Sequence, residues 1–365
     1  MKHEHAEELT ERFLRYVAVP SESDASAGVV PSTEGQRELA RLLESELQAM
    51  GLEEIELDEH AILTAKLPGN VPGAPVIGFV THLDTVPVSL SPAVHPQILR
   101  YEGGDVCLNA EKDIWLRLSE HPELADYAGQ DVIFTDGTSV LGADNKAAIA
   151  NVMTMLHVLS SGGRPHGDIR VAFVPDEEIG LCGSKLMDLN KFKVDFAYTI
   201  DCCAVGELVY ETFNAGSVLF EIEGVTAHPM SAKGVLVNPL LVATDIINCF
   251  DRKQTPEETD GKEGYWWFTG MQSNSSRTLH MNIRDFDREC YEARKKYVQS
   301  VVDFVRIRHK RAKITVKFTD VYGNIVESLG ADRAPIDLMY EAAHEIGVEP
   351  KTIAMRGGTD GSALS

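Results

Sequence analysis

Cysteine is scarce in this chain, basic residues are outnumbered by acidic ones, and long apolar runs are missing; each shortage removes a class of protein. Six cysteines, Cys107, Cys182, Cys202, Cys203, Cys249 and Cys290, are spread over 365 residues without a Cys-x-x-Cys pair. Neither a disulfide framework nor a thiolate zinc site is suggested, and the thiols read as buried core groups. No stretch approaches the roughly 18 to 20 apolar residues of a membrane span. Residues 1–8, Met-Lys-His-Glu-His-Ala-Glu-Glu, lack the apolar centre of a secretory signal, so the expected location is the cytoplasm. Lys and Arg number 34 against 56 Asp and Glu, a net charge of −22, which opposes both a phosphate backbone and an anionic membrane. Nucleic acid and membrane are therefore not expected partners. No GxGxxG or GxxxxGK[ST] loop follows a strand, which excludes a nucleotide-binding α/β protein of the usual kind.

What is present is enough apolar residue, 44%, for two hydrophobic cores in a soluble globular chain. Helical periodicity covers 7–17 and a second segment from Thr33, whose hydroxyl with Gln36 resembles a capping box and whose Leu39, Leu42, Leu43, Leu47 and Met50 form one apolar face before Gly51. Strands are expected at 76–81, 169–175 and 196–201, with a helix at 146–160 between the first two. That is an α/β sheet flanked by helices. From about Phe213 the pattern becomes β-α-β-β-α-β: strand 217–223, helix 239–250, strands 265–269 and 278–285, helix 288–309 and strand 313–319. The expectation is an inserted ferredoxin-like α+β domain over 213–320 with a polar exposed loop at 251–263. The first domain would comprise 1–212 and be rejoined by 321–365 through a helix at 334–346 and a strand at 351–355.

The chemistry-bearing residues lie just past the apolar strands, where open α/β sheets place ligands. The first strand runs into Thr81-His82-Leu83-Asp84-Thr85-Val86-Pro87; Leu141-Gly142-Ala143-Asp144-Asn145-Lys146 precedes a helix; the next strand ends in Pro175-Asp176-Glu177-Glu178-Ile179-Gly180; another delivers Asp201. Taken singly, His82 is an ordinary strand-end histidine, Asp84, Asp144 and Asp201 are caps or turn residues, and Glu177-Glu178 is the solvated start of a helix. Their conjunction, in this order and on successive elements of one sheet, is a different matter. A divalent metal that activates water for amide hydrolysis needs nitrogen and carboxylate ligands on rigid elements and a base beside them. His82, Asp144, Glu178 and Asp201 supply the ligands, Asp84 can hold the second imidazole nitrogen, and Glu177 is left as base. Cys202-Cys203, beside Asp201, then reads as packing around the metal site.

This constellation resembles the zinc aminoacylase and carboxypeptidase superfamily of metallopeptidases with two co-catalytic metals, and closely its peptidase T branch, the tripeptide aminopeptidases. Thr81 to Pro87, Thr135-Asp136-Gly137 to Lys146, Val171 to Gly180, Val205-Gly206-Glu207-Leu208, Ala227-His228-Pro229 through Lys233-Gly234-Val235-Leu236-Val237-Asn238, Ile283-Arg284-Asp285-Phe286-Asp287 and Arg356-Gly357-Gly358-Thr359-Asp360-Gly361 carry the likeness, which spans nearly the whole chain. The resemblance implies two zinc ions, with cobalt or manganese as substitutes in vitro. His82, Asp144 and Asp201 would bind one, and Asp144 would bridge to a second held by Glu178 and a further histidine. It implies Glu177 as general base, a cis link between Asp144 and Asn145, and a homodimer whose inserted domain is lid and dimer contact. His228 would meet the substrate carbonyl from the partner subunit and stabilise the oxyanion. Arg284 and Arg356 would hold the substrate's free carboxylate, a task suited to a planar guanidinium and a route to tripeptide preference, and Asn238 would also bind substrate.

The sequence departs from the family at two points. Asn145 stands where the family usually has Asp, which should alter the charge of the neighbourhood more than the number of metals. The chain also stops at Ser365, inside a motif, whereas the family continues with a segment bearing the last histidine ligand and a final helix; the expectation is an incomplete sequence, since His280, His309 and His344 each have a better structural reading. Two other functions fit the same residues. An acyl-amino-acid deacylase or dipeptidase would share metals and base and differ in pocket contacts; a non-catalytic metal-containing peptide-binding protein would have no need of Glu177.

Overall fold

The computed structural model describes residues 5–88, 90–201, 204–273 and 277–365, so the Cys202-Cys203 pair lies outside the described residues. The chain divides into two compact units, one of residues up to Asp201 with Thr359–Leu364, the other essentially Cys202–Gly358.

The first unit is built on a five-stranded mixed sheet in the order Glu53–Leu57, Leu63–Leu67, Ile169–Val174, Ile77–His82, Phe196–Thr199. The first three alternate in direction, each antiparallel to the next, and the last three are mutually parallel. The Ile169–Val174 strand is buried on both faces, and its period of two distributes its side chains. Val171 and Phe173 pack with Leu39, Leu43, Leu47, Ile149 and Met153 of the helices Glu34–Ala49 and Ala143–Gly162, while Ala172 and Val174 meet Val80, Met187 and Phe192 on the other face. Tyr16 and Val17 of the helix Ala6–Val17 close the first of these cores. Periodicity did not pick out the strands Glu53–Leu57 and Leu63–Leu67, nor the paired strands Pro96–Tyr101 with Gln130–Thr135 and Val106–Asn109 with Ile114–Leu116. Glutamates hide the alternation of Glu53–Leu57, and Val106–Asn109 and Ile114–Leu116 are too short to show one.

The capping box expected at the second helix is not formed. Thr33 accepts no backbone N–H of the helix; its Oγ1 accepts instead from Gln36 Nε2 at 3.2 Å, and the same Nε2 donates to the buried carboxylate of Asp176 at 2.7 Å.

In the second unit the β-α-β-β-α-β run forms an antiparallel sheet in the order Tyr265–Ser273, Arg277–Asp285, Asn214–Glu223, Lys313–Tyr322. This is the strand order of a split β-α-β fold. Its helices Pro239–Ile247 and Arg288–Arg308 bury Val242, Ile246, Val298, Val302 and Val305 against Phe220, Met281 and Ile283. The strand Lys351–Met355 pairs in parallel with Glu207–Thr212 within this unit. The segment 251–263 holds a short 3-10 turn, Pro256–Glu258.

Phe173, fully buried between helices and sheet, sets a test of this packing. Phe173→Ala should cost about 3–5 kcal/mol of stability, through lost transfer energy and the cavity left behind. Ile98→Ala, at a side chain 51% exposed, should stay within about 0.5 kcal/mol. Denaturant unfolding of the two variants beside the parent chain measures both.

Candidate metal centre

Register explains why the candidate residues converge. In the parallel trio His82 stands opposite Val174 and Val80 opposite Thr199, so the three strands run out at one edge of the sheet. The next residues along each chain segment are His82 to Asp84, Pro175 to Glu178, and Ile200 to Asp201. Asp144 enters from the start of the helix Ala143–Gly162, after Gly142, whose φ of +75° turns the chain in a way that a side chain would resist. Asp144 and Asn145 are not helical themselves, and the peptide between them is cis, as the resemblance implied.

One ligand atom each of His82, Asp144 and Asp201 lies within 4.8 Å of the others. His82 Nε2 is 2.9 Å from Asp144 Oδ1 and 4.0 Å from Asp201 Oδ1. His82 is buried and Asp144 is largely open, which leaves an approach from one side. Asn145 donates through Nδ2 to the Ile200 carbonyl at 2.9 Å and to Asp201 Oδ1 at 3.1 Å. An aspartate at this position would set two carboxylates against each other; the amide holds Asp201 in place instead.

The electrostatics ask for a cation. Burial disfavours a charged His82, yet hydrogen bonds to Asp144 and Asp84 and the charges of Asp84 and Glu177 outweigh it and raise the ring's pKa well above its usual value. A proton is thus drawn to the imidazole by the surrounding carboxylates. Burial, with smaller contributions from neighbouring carboxylates, pushes Glu177 up to about 8, raises Glu178 and Asp201, and takes the enclosed Asp360 to about 7. Asp144 is held low by its hydrogen bond to His82. One imidazole nitrogen and two carboxylates, crowded by further carboxylates, are a donor set that fits a divalent cation. Lys146 is buried nearby with Nζ donating to the Val19 carbonyl at 2.7 Å, and burial pulls its pKa down to about 8.

Asp84 does more than the expected support of His82. The ring's Nδ1 is 3.0 Å from the backbone carbonyl of Asp84 and 3.4 Å from its carboxylate. The carboxylate also accepts the backbone N–H of Glu177 at 2.9 Å and of Glu178 at 3.1 Å. One buried side chain therefore fixes the histidine and the two glutamates together.

Glu178 falls outside the group of three, on the loop beside it, and Glu177 is partly buried there. The other candidates belong to the second unit. His228 is exposed, and its Nδ1 accepts from Met230 N at 3.3 Å. Asn238 is exposed and caps the helix Pro239–Ile247 by accepting from Leu240 N. Arg284 donates to the carbonyls of Gly216 and Ile283 beside the ring of Tyr322. Arg356 donates to the Gly261 and Glu263 carbonyls and to Thr259, over the rings of Phe213 and Tyr265. Residue-by-residue reading missed Gln36, Ser32, Asp176 and Asp360, all in or against the site loops. The one available signal was the Thr-x-x-Gln spacing, which reads equally as a cap.

A mixed sheet whose parallel strands end in a cation-seeking cluster with a partly buried glutamate beside it fits a hydrolase of the metallopeptidase class. The chain belongs to peptidase family M20/M25/M40, whose model matches residues 142–365. It is 58% identical over 361 residues to a peptidase T-like protein of Yersinia pestis, covering 99% of this chain and 88% of the relative. It is 43% identical over 363 residues to peptidase T of Geobacillus thermodenitrificans, covering 98% and 88%. Among solved structures, aminopeptidase PepT from Bacillus cereus superposes with a TM-score of 0.75 at 22% identity, over 98% of this chain and 87% of that one, a likeness of fold.

Asp84→Asn places an amide N–H where a backbone N–H must be accepted. The affinity for zinc, titrated calorimetrically, should fall about 10- to 100-fold, the usual cost of losing support behind a ligand.

Proposed function

We propose that this chain is a metal-dependent aminotripeptidase that releases the first residue of short peptides, chiefly tripeptides, and that it works in the cytoplasm as a homodimer. The observation that carries the reading is the convergence of His82, Asp144 and Asp201 beside the partly buried Glu177. His82, Asp144 and Asp201 would hold one zinc ion; Asp144 and Glu178, with a further histidine, would hold a second, cobalt or manganese serving in vitro. When bound, the metals would polarise the scissile carbonyl and acidify the attacking water.

Glu177 takes the proton of that water and returns it to the leaving amine. Asp84 holds the Glu177 backbone so that the carboxylate faces the reacting atoms. His228 supplies a donor to the oxyanion. Arg284, Arg356 and Asn238 anchor the carboxylate of the peptide, and the distance from that anchor to the metals selects for three residues. In this reading 1–212 and 321–365 form the catalytic domain and 213–320 the lid and dimer contact.

Unblocked and N-acetylated tripeptides, with dipeptides as controls, should be assayed with zinc, cobalt or manganese. Only unblocked tripeptides should lose their first residue, and a chelator should stop the reaction. Glu177→Ala should lower kcat by roughly 10²- to 10⁴-fold, the range for losing a general base. Hydrolysis of the acetylated peptides instead would mark a deacylase, and normal turnover by the variant would remove Glu177 from its role.

A further inference from the structure

The loop that carries Glu177 and Glu178 is pinned from a second side, by groups that no ligand chemistry requires. Asp176 is fully buried and sits at a φ of +58°, a conformation that a non-glycine residue keeps only when its surroundings enforce it. Its carboxylate accepts from Ser32 N at 2.7 Å, Ser32 Oγ at 2.5 Å and Gln36 Nε2 at 2.7 Å. Its backbone N–H donates to Gln36 Oε1 at 2.9 Å. Gln36 is fully buried and so grips Asp176 with both ends of one amide.

The same stretch of chain also holds the loop after His82. Ser21 Oγ donates to the Leu83 carbonyl at 2.7 Å, Thr85 N donates to Ser21 O, and Ser23 N donates to Thr85 O. Residues 21–36 are thus hydrogen-bonded to both loops from which candidate ligands and base project.

We propose that Gln36, with Ser32, is a positioning residue for the general base. It acts through Asp176 by fixing the backbone from which Glu177 projects, while Asp84 fixes the other side of the same turn. The proposal rests on the reading of Glu177 as base. The geometry gives it force: the acceptors of Asp84 take the N–H groups of residues 177 and 178, whereas the Gln36 amide takes the N–H and carboxylate of residue 176. Three consecutive residues are thereby fixed from two directions, and a shift of about 1 Å at such a group is enough to cost on the order of a hundredfold in rate.

Gln36→Leu is close in volume and removes both hydrogen bonds to Asp176, together with those of Nε2 to Ser32 Oγ and Thr33 Oγ1. Two readouts are needed: steady-state kinetics on a tripeptide in zinc, and amide hydrogen exchange of the substrate-free chain over 175–183. We expect kcat to fall roughly a hundredfold with KM changed less than about threefold. Exchange over 175–183 should speed up at least tenfold while the helix Ala143–Gly162 keeps its protection. The double change Gln36→Glu with Asp176→Asn preserves the net charge and reverses donor and acceptor across the same contact; it should restore both readouts. Ser32→Ala removes one donor from a partly buried position and guards against failure of the first variant to fold; a smaller loss in kcat with the same loop signature is expected.

A folded Gln36→Leu chain with unchanged kcat, or a kcat loss without faster loop exchange, overturns the proposal. A double variant as slow as the single one does so as well. If the parent chain cleaves no peptide, the aminotripeptidase reading fails, and the exchange measurement alone then decides whether Gln36 holds the loop.

Discussion

The site depends on one buried carboxylate, that of Asp84, accepting two successive backbone N–H groups. A charge without water must be surrounded by donors or it is too costly to keep. Asp84 meets that demand with the N–H groups of Glu177 and Glu178 and with the imidazole of His82. The requirement works in both directions. The aspartate is tolerated in the interior because the loop comes to it, and the loop keeps an irregular path because the aspartate is there. Removing either leaves buried polar groups without partners.

A second consequence concerns charge. Around His82 stand Asp84, Asp144, Glu177, Glu178, Asp201 and Asp360, and burial makes each additional negative charge harder to sustain. The folded chain answers by raising pKa values, that is, by favouring protons in places where a divalent cation would serve better. The net charge of −22 is in this sense partly a property of the site. Lys146, enclosed with Nζ on the Val19 carbonyl, is the buried cation that faces Asp84, and burial pulls its own pKa down to about 8.

How much of this was legible in the sequence follows from where each interaction is encoded. The strand-end positions of His82, Glu177, Glu178 and Asp201 could be read because apolar strands in parallel pairing announce their own ends, and the site lies at those ends. The split β-α-β block was legible for the same reason, since its helices and strands carry clean periods. Glu53–Leu57 was not, because its glutamates hide the alternation, and Val106–Asn109 and Ile114–Leu116 are too short to show a period; Leu63–Leu67 does alternate, in sequence and in burial, and was overlooked. The partners of Gln36 and Asp176, 140 positions apart, could not be read at all. A buried glutamine is indistinguishable in sequence from a helix cap until the chain has folded.

Asn145 shows how local chemistry then sharpens a pattern. By length and polarity it fits the family's position for an acid, so the motif survives the change. In the folded chain, however, its Nδ2 donates to Asp201 and to the carbonyl of Ile200, something a carboxylate cannot do. The amide removes one negative charge from a cluster already short of cations and gives Asp201 a fixed orientation toward His82. The substitution therefore trades charge for geometry. Its effect should fall on how firmly Asp201 is held, because Nδ2 donates to Asp201 Oδ1, the same oxygen that lies 4.0 Å from His82 Nε2.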